Sequence, residues 1–147
     1  MERLYVAFKG RGNSSNKIVN CITGEKIFLT NSFDGLKRKI AGISKPYNSV
    51  YMFGLDKSLK GHIRIESIAI KDKKVLCSDL NLNEILQTLN NHGIYATIGS
   101  NPKNSLCNEA FWYMLQKFDH QVAFFHVPSI RYINEEFLEK IKSILSQ

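Results

Sequence analysis

Residues 94–128 read Ile-Tyr-Ala-Thr-Ile-Gly-Ser-Asn-Pro-Lys-Asn-Ser-Leu-Cys-Asn-Glu-Ala-Phe-Trp-Tyr-Met-Leu-Gln-Lys-Phe-Asp-His-Gln-Val-Ala-Phe-Phe-His-Val-Pro, and the fold class turns on this stretch. Ile94 to Ile98 is strand-sized and apolar, and a polar turn follows it. Phe111, Trp112, Leu115 and Phe118 then recur at helical spacing, which predicts a helix from about Asn104 to Phe118 whose apolar side is core. Gln121 to His126 is a second apolar run, stopped by Pro128. The same alternation extends in both directions. Upstream, strands are expected at Leu4 to Phe8, Lys26 to Thr30, Ser49 to Phe53 (closed by Gly54) and within 62–70. Helices are expected after Asn13-Ser14-Ser15, after Asn31 or Ser32, and at Leu82 to Leu89, which ends at Asn91-His92-Gly93. A last helix runs from Asn134 to Leu145. Strands alternating with helices predict one α/β domain over residues 1–147: a mostly parallel central sheet with helices on both faces, three-layer α/β/α. Such sheets take ligands beyond the carboxyl ends of their strands.

Composition narrows the classes. With 147 residues, 44% of them hydrophobic, the chain is long enough to bury a core of its own without a metal or disulfide staple. One Trp, six Tyr and nine Phe argue against disorder. No apolar run approaches the roughly 18–20 residues of a membrane span, so no membrane partner is expected. The first residues, Met1 to Lys9, lack the apolar core and cleavage site of a signal peptide. The three cysteines, Cys21, Cys77 and Cys107, are too far apart in sequence for a CxxC metal site. These features predict a reduced, cytoplasmic protein without a metal. A net charge of +7 raises nucleic acid as a partner. The basic residues are scattered, however, with only Lys37-Arg38-Lys39 and Lys71 to Lys74 as clusters, and both read as solvated faces or a turn. Nucleic acid is therefore not expected.

Three side chains fall where hydrolytic chemistry needs them. Asn104 is positioned to cap the helix, which puts Cys107 in its first turn. There the macrodipole and free N–H groups favour a thiolate, and the backbone of Leu106 and Cys107 offers donors to an oxyanion. His126 ends the last strand at the same expected sheet edge, one helix and one strand from Cys107, so a right-handed crossover brings the two together. An imidazole there serves as base and then acid. Glu66 shares an alternating polar face with His62 and Arg64 and is placed to orient the imidazole. Each residue also has an ordinary structural reading: a small core filler for Cys107, a satisfied strand-end histidine for His126, and a solvated carboxylate for Glu66.

The local sequence adds to this. Ser100-Asn101, then Leu106-Cys107-Asn108, Tyr113 and Phe124-Phe125-His126-Val127-Pro128 resemble the pyroglutamyl peptidase I (pyrrolidone-carboxylate peptidase) family. Gly54 to Ile70 is similar to that family's glycine turn, Ile-x-x-Glu and apolar strand, and Phe8 through Asn13-Ser14-Ser15 to its opening loop. The resemblance implies a cysteine peptidase that removes an N-terminal pyroglutamyl residue, with Cys107 as nucleophile, His126 as base and acid, Glu66 as orienting carboxylate, and no cofactor. It further implies substrate contacts at Phe8, Arg11, Asn13, Gly54 and Leu55, and a peptide or small amide as substrate. Several positions depart from the family pattern. Arg11 stands about where a second Phe belongs, Ser14 replaces the proline of Asn-Pro-Ser, and Ser67 replaces a basic residue. Pro102-Lys103-Asn104-Ser105 rebuilds the nucleophile turn, and Lys71 to Asp79 is shorter than the family's hairpin and loop. These departures imply an altered or relaxed acyl group and a homo-oligomer weaker than the family's. A catalytically idle relative that binds a peptide or protein remains the alternative.

Overall fold

Strand β1 (Arg3–Phe8) alternates its side chains between two helical layers, and both sets are buried. Leu4, Val6 and Phe8 enter one core cluster, while Tyr5 and Ala7 enter the other. This explains why the strands read as continuous apolar runs: a sheet covered on both faces has no polar side to show. The computed structural model describes residues 2–103 and 105–146. Among these, the order is β1, α1 (Ser14–Cys21), β2 (Glu25–Leu29), α2 (Phe33–Ala41), β3 (Ser49–Leu55), β4 (Ile63–Glu66), β5 (Ile68–Lys71), β6 (Lys74–Cys77), α3 (Leu82–Asn91), β7 (Ala96–Gly99), α4 (Leu106–Lys117), β8 (Val122–Val127) and α5 (Glu135–Leu145). The main sheet runs β2-β1-β3-β8-β4-β7. Helices α1, α3 and α5 cover one face, and α2 and α4 cover the other. This is the expected three-layer α/β/α arrangement.

The helices start where side-chain oxygens can take up orphan N–H groups. Asn13, Ser32, Asn81 and Asn134 cap α1, α2, α3 and α5. Ser105 caps α4, its Oγ accepting from Asn108 N at 3.2 Å. The cap expected at Asn104 lies outside the described residues.

Three features differ from the sequence reading. First, Gly54 does not close β3, which pairs with β8 through Leu55. Second, the strand expected within 62–70 is two strands. Ser67 turns away from the main sheet, its N and Oγ both donating to Gly99 O at 2.9 Å, and Ile68–Lys71 pairs with Lys74–Cys77 as a separate hairpin. Asp72 and Lys73 form its turn at φ 50° and 64°. The short 71–79 segment thus keeps a hairpin, packed on α4 through Ala69 and Leu76. Third, β4 runs antiparallel to β8, with β7 parallel to β4, while β2, β1, β3 and β8 are mutually parallel. The strands on either side of α4 therefore run in opposite senses with β4 between them, and the expected right-handed crossover is absent. Position along the chain could not reveal this, because strand direction is set by which edge the chain returns to.

Candidate active site

Alternation along the strands decides which side chains meet. On β8, Val122 and Phe124 belong to the α2/α4 face, while Ala123, Phe125 and Val127 belong to the other, so His126 shares the α2/α4 side. On β4, Ile63 and Ile65 face away, leaving Arg64 and Glu66 on the same side as His126. On β3, Gly54 follows Val50 and Met52 on that side and stands opposite His126 in the ladder. Arg64 is opposite His126 across the antiparallel pair, and Glu66 is opposite Phe124. The site consequently lies on the α4 face of the sheet, where the carboxyl ends of β3 and β8 meet the reversed strand β4.

His126 Nδ1 lies 2.5 Å from Glu66 Oε2. Glu66 is only 6% exposed, and its carboxylate is far from the solvated edge group it resembles in sequence. Burial raises its pKa, but the hydrogen bonds and charges of His126 and Arg64 outweigh this and hold it below the usual carboxylate range. The Nδ1–H···Oε2 pairing leaves His126 Nε2 as the ring nitrogen free to exchange a proton. The other polar member of this strand face, His62, stacks its ring against Tyr95 with centroids 5.2 Å apart and stands outside the cavity.

Cys107 is the second residue of α4 and lies over Gly54. A Cβ on that glycine would sit 2.7 Å from Cys107 Sγ and 2.7 Å from Phe124 Cζ. Ser105 takes the N–H of Asn108 on its Oγ and that of Glu109 on its carbonyl. Among the described residues, nothing accepts from the N–H groups of Leu106 and Cys107, as expected for a first helical turn. The thiol itself differs from expectation. Burial, reinforced by the negative charges of Glu66 and Asp56, pushes Cys107 up to about 12. The helix N-terminus favours a thiolate, while the loss of water and the two carboxylates oppose it. No hydrogen bond joins Cys107 Sγ to His126 among the described residues.

Cys107, His126 and Glu66 line one cavity of about 220 Å³. Phe111, Phe124, Leu55 and Ile68 make its apolar wall, and Asp56, Lys57, Arg64, Asn101, Lys103 and Asn108 bring polar groups. Of the expected substrate contacts, Leu55 lines this cavity and Gly54 makes room for the sulfur. Phe8, Arg11 and Asn13 do not line it. Phe8 is buried among the core residues of the α2/α4 face. The Asn13 carboxamide is taken up as the α1 cap, its Oδ1 accepting from Ser15 N at 3.0 Å and Ser15 Oγ at 2.6 Å. Arg11 is exposed in the loop before α1.

Sequence reading missed Asp56 and gave Arg64 only as a neighbour of Glu66 on one polar strand face. Arg64 Nε donates to Glu66 Oε2 at 2.8 Å, and its Nη2 donates to Asp56 Oδ2 at 2.7 Å. Asp56 Oδ1 accepts from Ser58 N at 2.9 Å and Ser58 Oγ at 2.6 Å. Burial works against the Asp56 charge, yet Ser58 and Arg64 hold its carboxyl well below the usual range. The signal was present: Asp-x-Ser directly after a strand is an Asx-turn pattern at a sheet edge. Asn108, next to the cysteine, carries out a structural task. Its Nδ2 donates to Ile70 O at 2.7 Å, and its Oδ1 accepts from Ile70 N at 2.9 Å, stapling the hairpin to α4.

No protein-family model matches the sequence, and no curated protein does. Solved structures do match. The pyrrolidone carboxyl peptidase from Thermococcus litoralis superposes with a TM-score of 0.76 at 19% identity, over 99% of this chain and 92% of that one. The enzyme from Thermus thermophilus gives 0.78 at 15% identity, over 98% and 97%. A mutant of the enzyme from the hyperthermophile Pyrococcus furiosus gives 0.75 at 19%, over 99% and 96%. The superpositions take in nearly the whole of each chain: this chain has the fold of the pyrrolidone carboxyl peptidases.

Proposed function

We propose that the protein is a cysteine peptidase of the pyroglutamyl peptidase kind, using Cys107, His126 and Glu66 to remove an N-terminal pyroglutamyl or related acyl group from peptides or small amides. The observation that carries this reading is the part-buried His126–Glu66 hydrogen bond, facing the same cavity as a cysteine in a helix's first turn. In the reaction, His126 Nε2 takes the thiol proton as Cys107 Sγ attacks the acyl carbon. The N–H groups of Leu106 and Cys107 receive the oxyanion. The C–N bond then breaks, and His126 returns its proton to the leaving amine. Water, deprotonated by His126, attacks the thioester, releasing the acid and restoring the thiol. Because the resting thiol is half-buried and neutral, proton transfer and attack belong to one step rather than to a standing ion pair. The apolar wall accommodates a small flat acyl group, and the absence of Phe8, Arg11 and Asn13 from the lining supports a group other than pyroglutamate itself. No step needs a cofactor, and a free thiol nucleophile fits a reducing cytoplasmic setting.

Turnover of a pyroglutamyl fluorogenic amide, set beside other N-acyl amides, tests this reading. Activity that falls by about 10²–10⁴ in His126→Ala and vanishes in Cys107→Ser is expected. Undiminished activity in either variant overturns it. The half-buried thiol, without a hydrogen bond to His126 among the described residues, favours a second reading, an idle relative that binds a peptide in the same cavity. That reading predicts peptide binding by calorimetry with no turnover of any acyl amide.

A further inference from the structure

Arg64 is placed in the middle of the site rather than at its rim. Its Nε shares Glu66 Oε2 with His126 Nδ1, its Nη2 reaches Asp56, and that same Nη2 stands 3.3 Å from Nδ1. Since Nδ1 already directs its proton to Glu66, this last approach sets a fixed cation against the ring. The sheet makes room for the arrangement: a Cβ on Gly99, in neighbouring strand β7, would lie 2.8 Å from both Arg64 Cδ and Glu66 Oε1.

The charges around His126 can be taken element by element. Strand β4 presents Glu66 and Arg64, and the loop after β3 presents Asp56 and Lys57. The loop before α4 presents Lys103, and α4 itself presents Cys107. Two carboxylates thus surround one imidazole. Two carboxylates beside a ring stabilise its doubly protonated form, which cannot act as a base. Arg64 touches both carboxylates and the ring, so it offsets the second negative charge while leaving Glu66 in place to orient Nδ1–H.

We propose that Arg64 is a positioning residue that keeps His126 in its neutral, proton-accepting form by bridging Glu66 and Asp56. This deepens the hydrolase reading and rests on it for its effect on rate, but its effect on the ring is independent of turnover.

The test is an NMR pH titration of the full chain with ¹⁵N-labelled histidine. The His126 signals are assigned by their loss in His126→Gln, and the pH–kcat/KM profile on the acyl amide runs in parallel. In Arg64→Met, removal of the cation leaves both carboxylates facing the ring, so the midpoint for His126 and the acid limb of the profile rise by roughly one pH unit. In Asp56→Asn, which keeps an acceptor for Ser58 but removes an anion, both move down. Arg64→Lys stays near the wild type. A general loosening of the site would move Arg64→Met and Asp56→Asn in the same direction, and that result, or no movement in either, overturns the proposal. Should Arg64→Met fail to fold, the downward shift in Asp56→Asn decides alone. A chain without turnover on any acyl amide removes the hydrolase reading, while the histidine titration still decides the role of Arg64.

Discussion

Gly54 is an unsubstituted position because of what stands above it. The space for a methyl group there is already occupied by Cys107 Sγ and the Phe124 ring. Gly54→Ala should therefore displace the sulfur and the ring together, costing about 1–3 kcal/mol, readable as a lowered urea midpoint, along with most of the proposed peptidase activity. At Cys107 the decisive term is burial. With its thiol pushed up to about 12, Cys107 should react with iodoacetamide more slowly at neutral pH than exposed Cys77, and its rate should climb as pH rises through the alkaline range. Mass spectrometry of the labelled peptides checks this, and preferential labelling of Cys107 at pH 7 would contradict it. Sequence could place Cys107 in the first helical turn but could not weigh dehydration against the dipole, because the phenylalanines and carboxylates that surround the sulfur come from three other segments. Glu66 was legible through alternation with Arg64. Asp56 was hidden by reading β3 as ending two residues early, at Phe53 rather than Leu55.

At the scale of elements, α4 depends on Ser105. Its hydroxyl holds Asn108 N, and among the described residues nothing accepts from the N–H groups of Leu106 and Cys107. Ser105→Ala should cost about 1 kcal/mol of stability in denaturant titration. It should also lower kcat more than KM, since the proposed oxyanion donors belong to the loosened turn. The helices were readable in detail because their signals are local: caps, apolar spacing and stop residues lie within one turn. Strand 62–70 was not, because its break at Ser67 is made by a bond to Gly99, which lies 32 residues away. Nothing in the alternation of His62 to Ile70 announces that the partner strand changes halfway.

For the whole molecule, acid is the most revealing perturbation. In the folded chain Asp56 and Glu66 both sit below their ordinary range, so the folded state holds fewer protons at low pH than the unfolded one. Their contribution is complete above about pH 4.5 and is lost progressively as pH falls from there through the lowered folded values. Urea midpoints measured from pH 7 to pH 3 should fall accordingly, and the acid-side slope should flatten in Asp56→Asn. The layered architecture was legible from the alternation of elements, but the reversal of β4 and β7 was not. That reversal places Arg64 and Glu66 beside His126, so the part of the topology that sequence could not supply is also what assembles the ion-paired half of the site.

The Asn108 staple joins the packing of Ala69 and Leu76 and the Lys71–Glu109 ion pair in holding the ribbon to α4. Ile70 lies on a small outlying ribbon, yet its amide is held by a side chain that neighbours the sulfur. Lifting the ribbon must release Asn108, and fraying the start of α4 must free the Ile70 amide. The exchange rate of the Ile70 amide with solvent deuterium is thus a clock for the opening of the cysteine's own turn, readable without any substrate. A molecule that wedges against the ribbon would speed that clock, and one that fills the cavity would slow it.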